Sequence, residues 1–175
     1  MMADMAGECG APFGREEQLE CLFRSEYASL LRFACFLVDD PTIGEELVQE
    51  AFVRSYQAWD RLREPAAAPA YLRSTVLNLA RSRLRRRRVI RRHPVAAVRD
   101  VASAEDVALL REDQRAVLEA LRSLPRRQRE CLALRFYLGL SGTEIAQTLQ
   151  ISPGSVKSHT HRAMGTLAAR LGPRR

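Results

Sequence analysis

A chain of 175 residues holds one or two small domains and is too short for a large multidomain enzyme. It carries 28 basic and 21 acidic side chains, net +7, with alternating sign: residues 1–64 are acidic, 65–100 strongly basic, 101–122 mildly acidic and 123–175 basic. Two basic blocks fit two contacts with a polyanion, and the acidic first block must face something else. No apolar run approaches the ~20 residues that span a bilayer, and MMADMAGECGAPFGREEQ lacks the basic and apolar regions of a secretory signal.

Apolar residues recur at helical spacing throughout, without sustained strand-like alternation. A first helix is expected over Arg15 to Val38, with Leu19, Leu22, Phe23, Tyr27, Leu30, Leu31, Ala34 and Leu37 as its buried stripe. It stops at Asp39-Asp40-Pro41. The T-x-x-E of Thr42 to Glu45 reads as a capping box opening a second helix, which runs to about Trp59 and buries Leu47, Val48, Ala51, Phe52 and Ser55. After a loop at 64–70, Pro69 opens a third helix to about Arg88 or slightly beyond, with Leu72, Val76, Leu79 and Ala80 inward.

Residues 93–106 (HPVAAVRDVASAED) have little periodicity and read as a linker. Helical period returns near Ala108 through Leu110, Val117, Leu118 and Leu121. A further helix is expected from Pro125 to Leu138, closed by a left-handed Gly139. Ser141 and Glu144 form a second capping box, and Ser152 caps a last helix that has Pro153 at its first position and ends at Gly172-Pro173. The fold is therefore all-α: a domain at 15–92, a linker at 93–107 and a second domain at 108–172.

The strongest motif is the helix–turn–helix at 141–171. Ile145, Leu149, Ile151 and Val156 would lock its two helices, presenting Ser155, Lys157, Ser158, His161 and Arg162 to a major groove. On the third helix Ser74, Asn78, Arg81, Arg85 and Arg88 share one face. That face suits a helix laid along DNA, with arginines on phosphates and Asn78 near bases. Glu46, Gln49, Glu50, Val53, Arg54 and Gln57 lie off the buried face of the second helix, an acidic strip that fits a protein partner. No catalytic constellation, cofactor loop or metal site emerges, since His159 and His161 face apart. Cys9, Cys21, Cys35 and Cys131 contain no CxxC pair, which makes a reduced cytoplasmic protein the expectation.

In this order, GEELVQEAFVRSYQAWDRL, YLRSTVLNLARSRLRRRR and SLPRRQRECLALRFYLGLSGTEIAQTLQISPGSVKSHTHRA resemble a bacterial RNA polymerase sigma factor of the extracytoplasmic-function group. The resemblance implies that Glu46, Gln49, Glu50 and Arg54 dock on the β′ clamp helices of core polymerase. It implies that Asp60 to Arg88 melts and reads the downstream promoter element, with Asn78 holding a flipped base, and that the terminal helix–turn–helix reads the upstream element. Further partners would be the β flap and an anti-sigma protein. Tyr71, Ser82, His159 and Thr160 depart from the family's usual residues. SVKSHTHRAM also resembles LuxR-type regulators, so the alternative is a stand-alone helix–turn–helix regulator; no receiver domain accompanies the motif.

Overall fold

The structure is a computed structural model that describes residues 14–62, 64–92 and 112–172. The expected linker, with the onset of helix near Ala108, lies outside these residues. The chain divides into two compact units, Met1–Pro94 and Val95–Arg175. Every long element is a helix, and no strand occurs among the described residues. No described helix is long and apolar enough to cross a membrane.

The first unit is built from α1 (Arg15–Val38), α2 (Pro41–Ala58) and α3 (Ala68–Arg92), each in contact with the other two. Leu30, Phe33, Ala34, Val48, Ala51, Leu72, Val76 and Leu77 are sealed inside. Phe33 and Leu77 fall outside the expected stripes, and Phe23 is exposed rather than inward. The physical reason is that α1 and α3 each meet two neighbours, so the buried arc is wider than one stripe.

Helix α1 ends on Asp39, which takes a left-handed conformation (φ 64°) and donates its N–H to the Cys35 carbonyl at 2.8 Å. The start of α2 differs from the expected box. Asp40 is the cap, its carboxylate accepting the Ile43 N–H at 3.0 Å, and Thr42 already lies inside the helix. Proline dictates this, because Pro41 is preset for the first helical position and holds the residue before it extended. Gly44 then lets α2 approach α1 closely. A Cβ there would lie 2.5 Å from Cys35 Sγ and 2.9 Å from the Cys35 nitrogen.

Short 3-10 turns at Trp59–Arg61 and Pro65–Ala67 bracket the connection to α3. Helix α3 begins at Ala68, within the loop expected at 64–70.

The second unit contains α4 (Glu112–Arg122), α5 (Arg126–Phe136), α6 (Gly142–Leu149) and α7 (Pro153–Leu171). Helix α7 contacts the other three. Leu124, Leu132 and Ala163 form one buried cluster, with Leu121 and Leu167 packed on it. Helix α5 is shorter than the span Pro125 to Leu138. Pro125 is its cap, with an extended ψ of 143°, and the helix ends at Phe136. Gly139 is left-handed (φ 64°) as expected, but it acts in the turn after the helix. There it lets the Leu140 N–H fold back to the Leu134 carbonyl at 3.2 Å.

Both expected caps of the helix–turn–helix are formed. Glu144 N–H reaches Ser141 Oγ at 3.3 Å, Ser141 N–H reaches Glu144 Oε2 at 2.8 Å, and Ser155 N–H reaches Ser152 Oγ at 3.1 Å. Gln150, at φ 54°, makes the turn between the two helices. Cys35 and Cys131 are free thiols, whereas Cys21 is disulfide-bonded, a departure from the all-reduced expectation. Spacing rules for metal pairs carry no information about such a bond.

Candidate partner and nucleic-acid surfaces

On α2 the core residues Leu47, Val48, Ala51, Phe52 and Ser55 turn inward, which leaves Glu46, Gln49, Glu50 and Arg54 exposed on the remaining surface. The strip is internally tied. Arg54 pairs with Glu50 at 2.5 Å, and the Gln49 amide donates to Glu45 at 3.3 Å. Exposed pairs one helical turn apart add little stability, so a partner can exchange them at small cost. Val53 adds an apolar contact at 55 % exposure. Beside the strip, Phe23 stacks on Tyr27 with centroids 4.5 Å apart and lies 5.1 Å from Phe52. Partial burial, and then the Glu45 carboxylate, push the Tyr27 hydroxyl above its ordinary range.

Helix α3 exposes Asn78, Arg85 and Arg88, while Ser74 and Arg81 are half-buried. The inward residues Leu72, Val76, Leu77 and Ala80 fix this orientation. Toward its end the helix also exposes Val89 and Ile90 among the arginines. Arginines one turn apart repel along one helix, so a polyanion laid on this face would relieve that repulsion.

In the second unit, Ile145, Leu149 and Val156 are buried and join α6 to α7, with Ile151 half-buried at the turn. Lys157, Ser158, His161 and Arg162 are exposed. Ser155 is half-buried, and its hydroxyl lies 2.8 Å from Ser152 Oγ, so part of its hydrogen-bonding capacity is already used. Lys157, Ser158 and His161 converge on an open groove of about 650 Å³, together with Gly142, Pro153 and Arg135. Arg162 and Ser155 do not line it.

Arg135 belongs to no motif or periodic face in the sequence. It precedes the helix–turn–helix, and its only signal is a lone cation in the apolar run CLALRFYLGL. Its guanidinium donates to the Leu140 carbonyl at 3.3 Å, which holds it at the groove's edge. Three cationic or imidazole side chains and the positive end of α7 thus surround one concave surface, an arrangement suited to phosphate and base edges.

The chain matches the family model described as Sigma-70 region 2 over residues 22–90 and the one described as Sigma-70, region 4 over residues 114–167. It is 34% identical over 161 residues to an RNA polymerase sigma-E factor of Streptomyces avermitilis, covering 92% of this chain and 89% of that one. It is 31% identical over 151 residues to the ECF RNA polymerase sigma factor SigM of Mycobacterium tuberculosis, covering 86% and 76%. Among solved structures it is similar to the sigma factor RpoE in complex with the anti-sigma factor NepR from Bartonella quintana. That likeness has a TM-score of 0.74 and 23% identity over 91% of this chain and 99% of that chain. It is also similar to CnrH in complex with the cytosolic domain of CnrY, with a TM-score of 0.68, 25% identity and 90% of each chain covered. Both halves are matched, which sets aside the stand-alone regulator reading.

Proposed function

The chain belongs to the sigma-70 family as a factor of the extracytoplasmic-function group, and from that premise we propose how its surfaces divide the work of promoter-specific initiation. Residues 15–92 bind core polymerase through Glu46, Gln49, Glu50 and Arg54. They open and read the downstream element through the 60–67 connection and Asn78, Arg81, Arg85 and Arg88. Residues 108–172 read the upstream element in duplex DNA through Ser155, Lys157, Ser158, His161 and Arg162, and residues 93–107 link the two. One observation carries this reading: a single three-helix unit exposes an acidic strip on α2 and a cationic face on α3, so protein and DNA have separate places on it.

The chain works in the cytoplasm and contributes no catalytic group or cofactor. Its binding energy goes into selecting the promoter and trapping unpaired bases, while the core, held through β′ and the β flap, performs the chemistry. An anti-sigma protein covering the same surfaces would keep it inactive; the structural relative RpoE is a sigma factor in complex with the anti-sigma factor NepR.

The test is run-off transcription by reconstituted holoenzyme on duplex and pre-opened promoters. Gln49→Ala with Glu50→Arg should abolish core binding in a pull-down while leaving the thermal midpoint nearly unchanged; undiminished core binding would sink the α2 assignment. Asn78→Ala should spare closed complexes and weaken open ones at one downstream base, because a base edge is fully available to it only when unstacked.

A further inference from the structure

The first turn of α1 reaches across to the end of α2. Arg15 Nη2 donates to the Tyr56 carbonyl, Arg15 Nη1 lies 3.3 Å from Asp60 Oδ2, and the guanidinium carbon sits 4.0 Å over the Tyr56 ring. Helix α2 has no basic residue in its own last turn. Its final carbonyls carry the negative end of the helix dipole; the Tyr56 carbonyl already accepts the Trp59 N–H, and Arg15 is its second donor. Arg15, 41 residues away in sequence, supplies the missing cation. Asp60 is 79 % exposed but the Arg15 side chain only 33 %, so the ion pair is screened by solvent. The hold comes chiefly from the carbonyl and the ring beneath it, which a planar guanidinium satisfies together.

This contact sits where the chain leaves α2. Trp59–Arg61 follows as a 3-10 turn closed by the Leu62 N–H on the Trp59 carbonyl at 3.0 Å, and the connection to α3 comes next. We propose that Arg15 is a positioning residue for promoter opening: by capping α2 from outside, it fixes where the 60–67 connection departs and hence how that connection meets the downstream element. The proposal rests on the assignment of that connection to strand opening.

The experiment uses full-length chain in reconstituted holoenzyme. Arg15→Gln should slow open-complex formation on a duplex promoter by about tenfold, the scale of a lost cation at a helix end. On a pre-opened promoter the loss should fall below about threefold, and core affinity should stay within about twofold. Arg15→Lys, which keeps the charge and loses the fork, should fall between parent and Arg15→Gln. An opening rate for Arg15→Gln within about twofold of the parent would overturn the proposal. So would an equal loss on both templates accompanied by weakened core binding, since that is what general loosening of the bundle produces. If circular dichroism shows Arg15→Gln unfolded, Arg15→Lys and Tyr56→Leu decide: both must slow opening selectively on duplex, and parental rates in both would overturn it. A parent holoenzyme that initiates at no promoter would bring down the proposed function and this inference with it, whereas an active parent with an unaffected Arg15→Gln overturns this inference alone.

Discussion

At Gly44 the absence of a side chain is itself the structural element. A methyl group there meets the sulfur, nitrogen and Cα of Cys35, two of them backbone atoms that cannot rotate away. Gly44→Ala should therefore cost about 1–3 kcal/mol despite its better helix propensity, read as a lower urea midpoint. Adding Cys35→Ala should recover only part of the loss, because the backbone contacts remain. Cys131 provides a second residue-level test. Burial, and then the neighbouring Glu130 carboxylate, push its thiol up to about 11. The folded chain thus keeps a proton that the unfolded chain releases from about pH 9 upward. Stability is unaffected below that point and should fall by about 2–3 kcal/mol between pH 9 and 11. In Cys131→Ala this part of the pH slope should vanish, as measured by urea unfolding at several pH values.

Helix ends show where sequence reasoning loses resolution. The bodies of α1, α2, α3 and α7 were legible because apolar spacing is repeated over many turns. Their ends are set by one or two hydrogen bonds, and the T-x-x-E pattern sets the cap of α2 two residues too late, at Thr42. The structure selects Asp40. Asp40→Ala should accordingly cost about 1 kcal/mol and Thr42→Ala only a few tenths, and a reversed order in thermal unfolding would restore the T-x-x-E reading. The candidate surfaces divide in the same way. Exposed positions on α2, α3 and α7 follow from helix period, so their side chains were identifiable without coordinates. Arg135 and Arg15 were not, since each acts through a contact made by chain folding, and no periodicity carries that information.

Across the whole molecule, the alternating charge predicts how binding responds to salt. The steepest cationic density is at the end of α3, where Arg85 and Arg88 are exposed. Changing both to Ala should weaken holoenzyme binding on all promoter sequences and flatten the salt dependence by about two units of log K per log salt if each holds one phosphate. Lys157→Ala should flatten it by about one unit, and equally on duplex and pre-opened templates. A change confined to particular bases would mean that these residues read sequence instead.

The division into two compact units, each enclosing its own apolar residues, has an evolutionary consequence. A core closed within one half gives that half the means to be exchanged as a whole cassette. A hybrid joining Met1–Pro94 of this chain to the corresponding second half of another factor should fold and should inherit its upstream preference from the donor while keeping the downstream preference of this chain. New promoter vocabularies would then arise by recombination of intact parts, without passing through sequences that cannot fold.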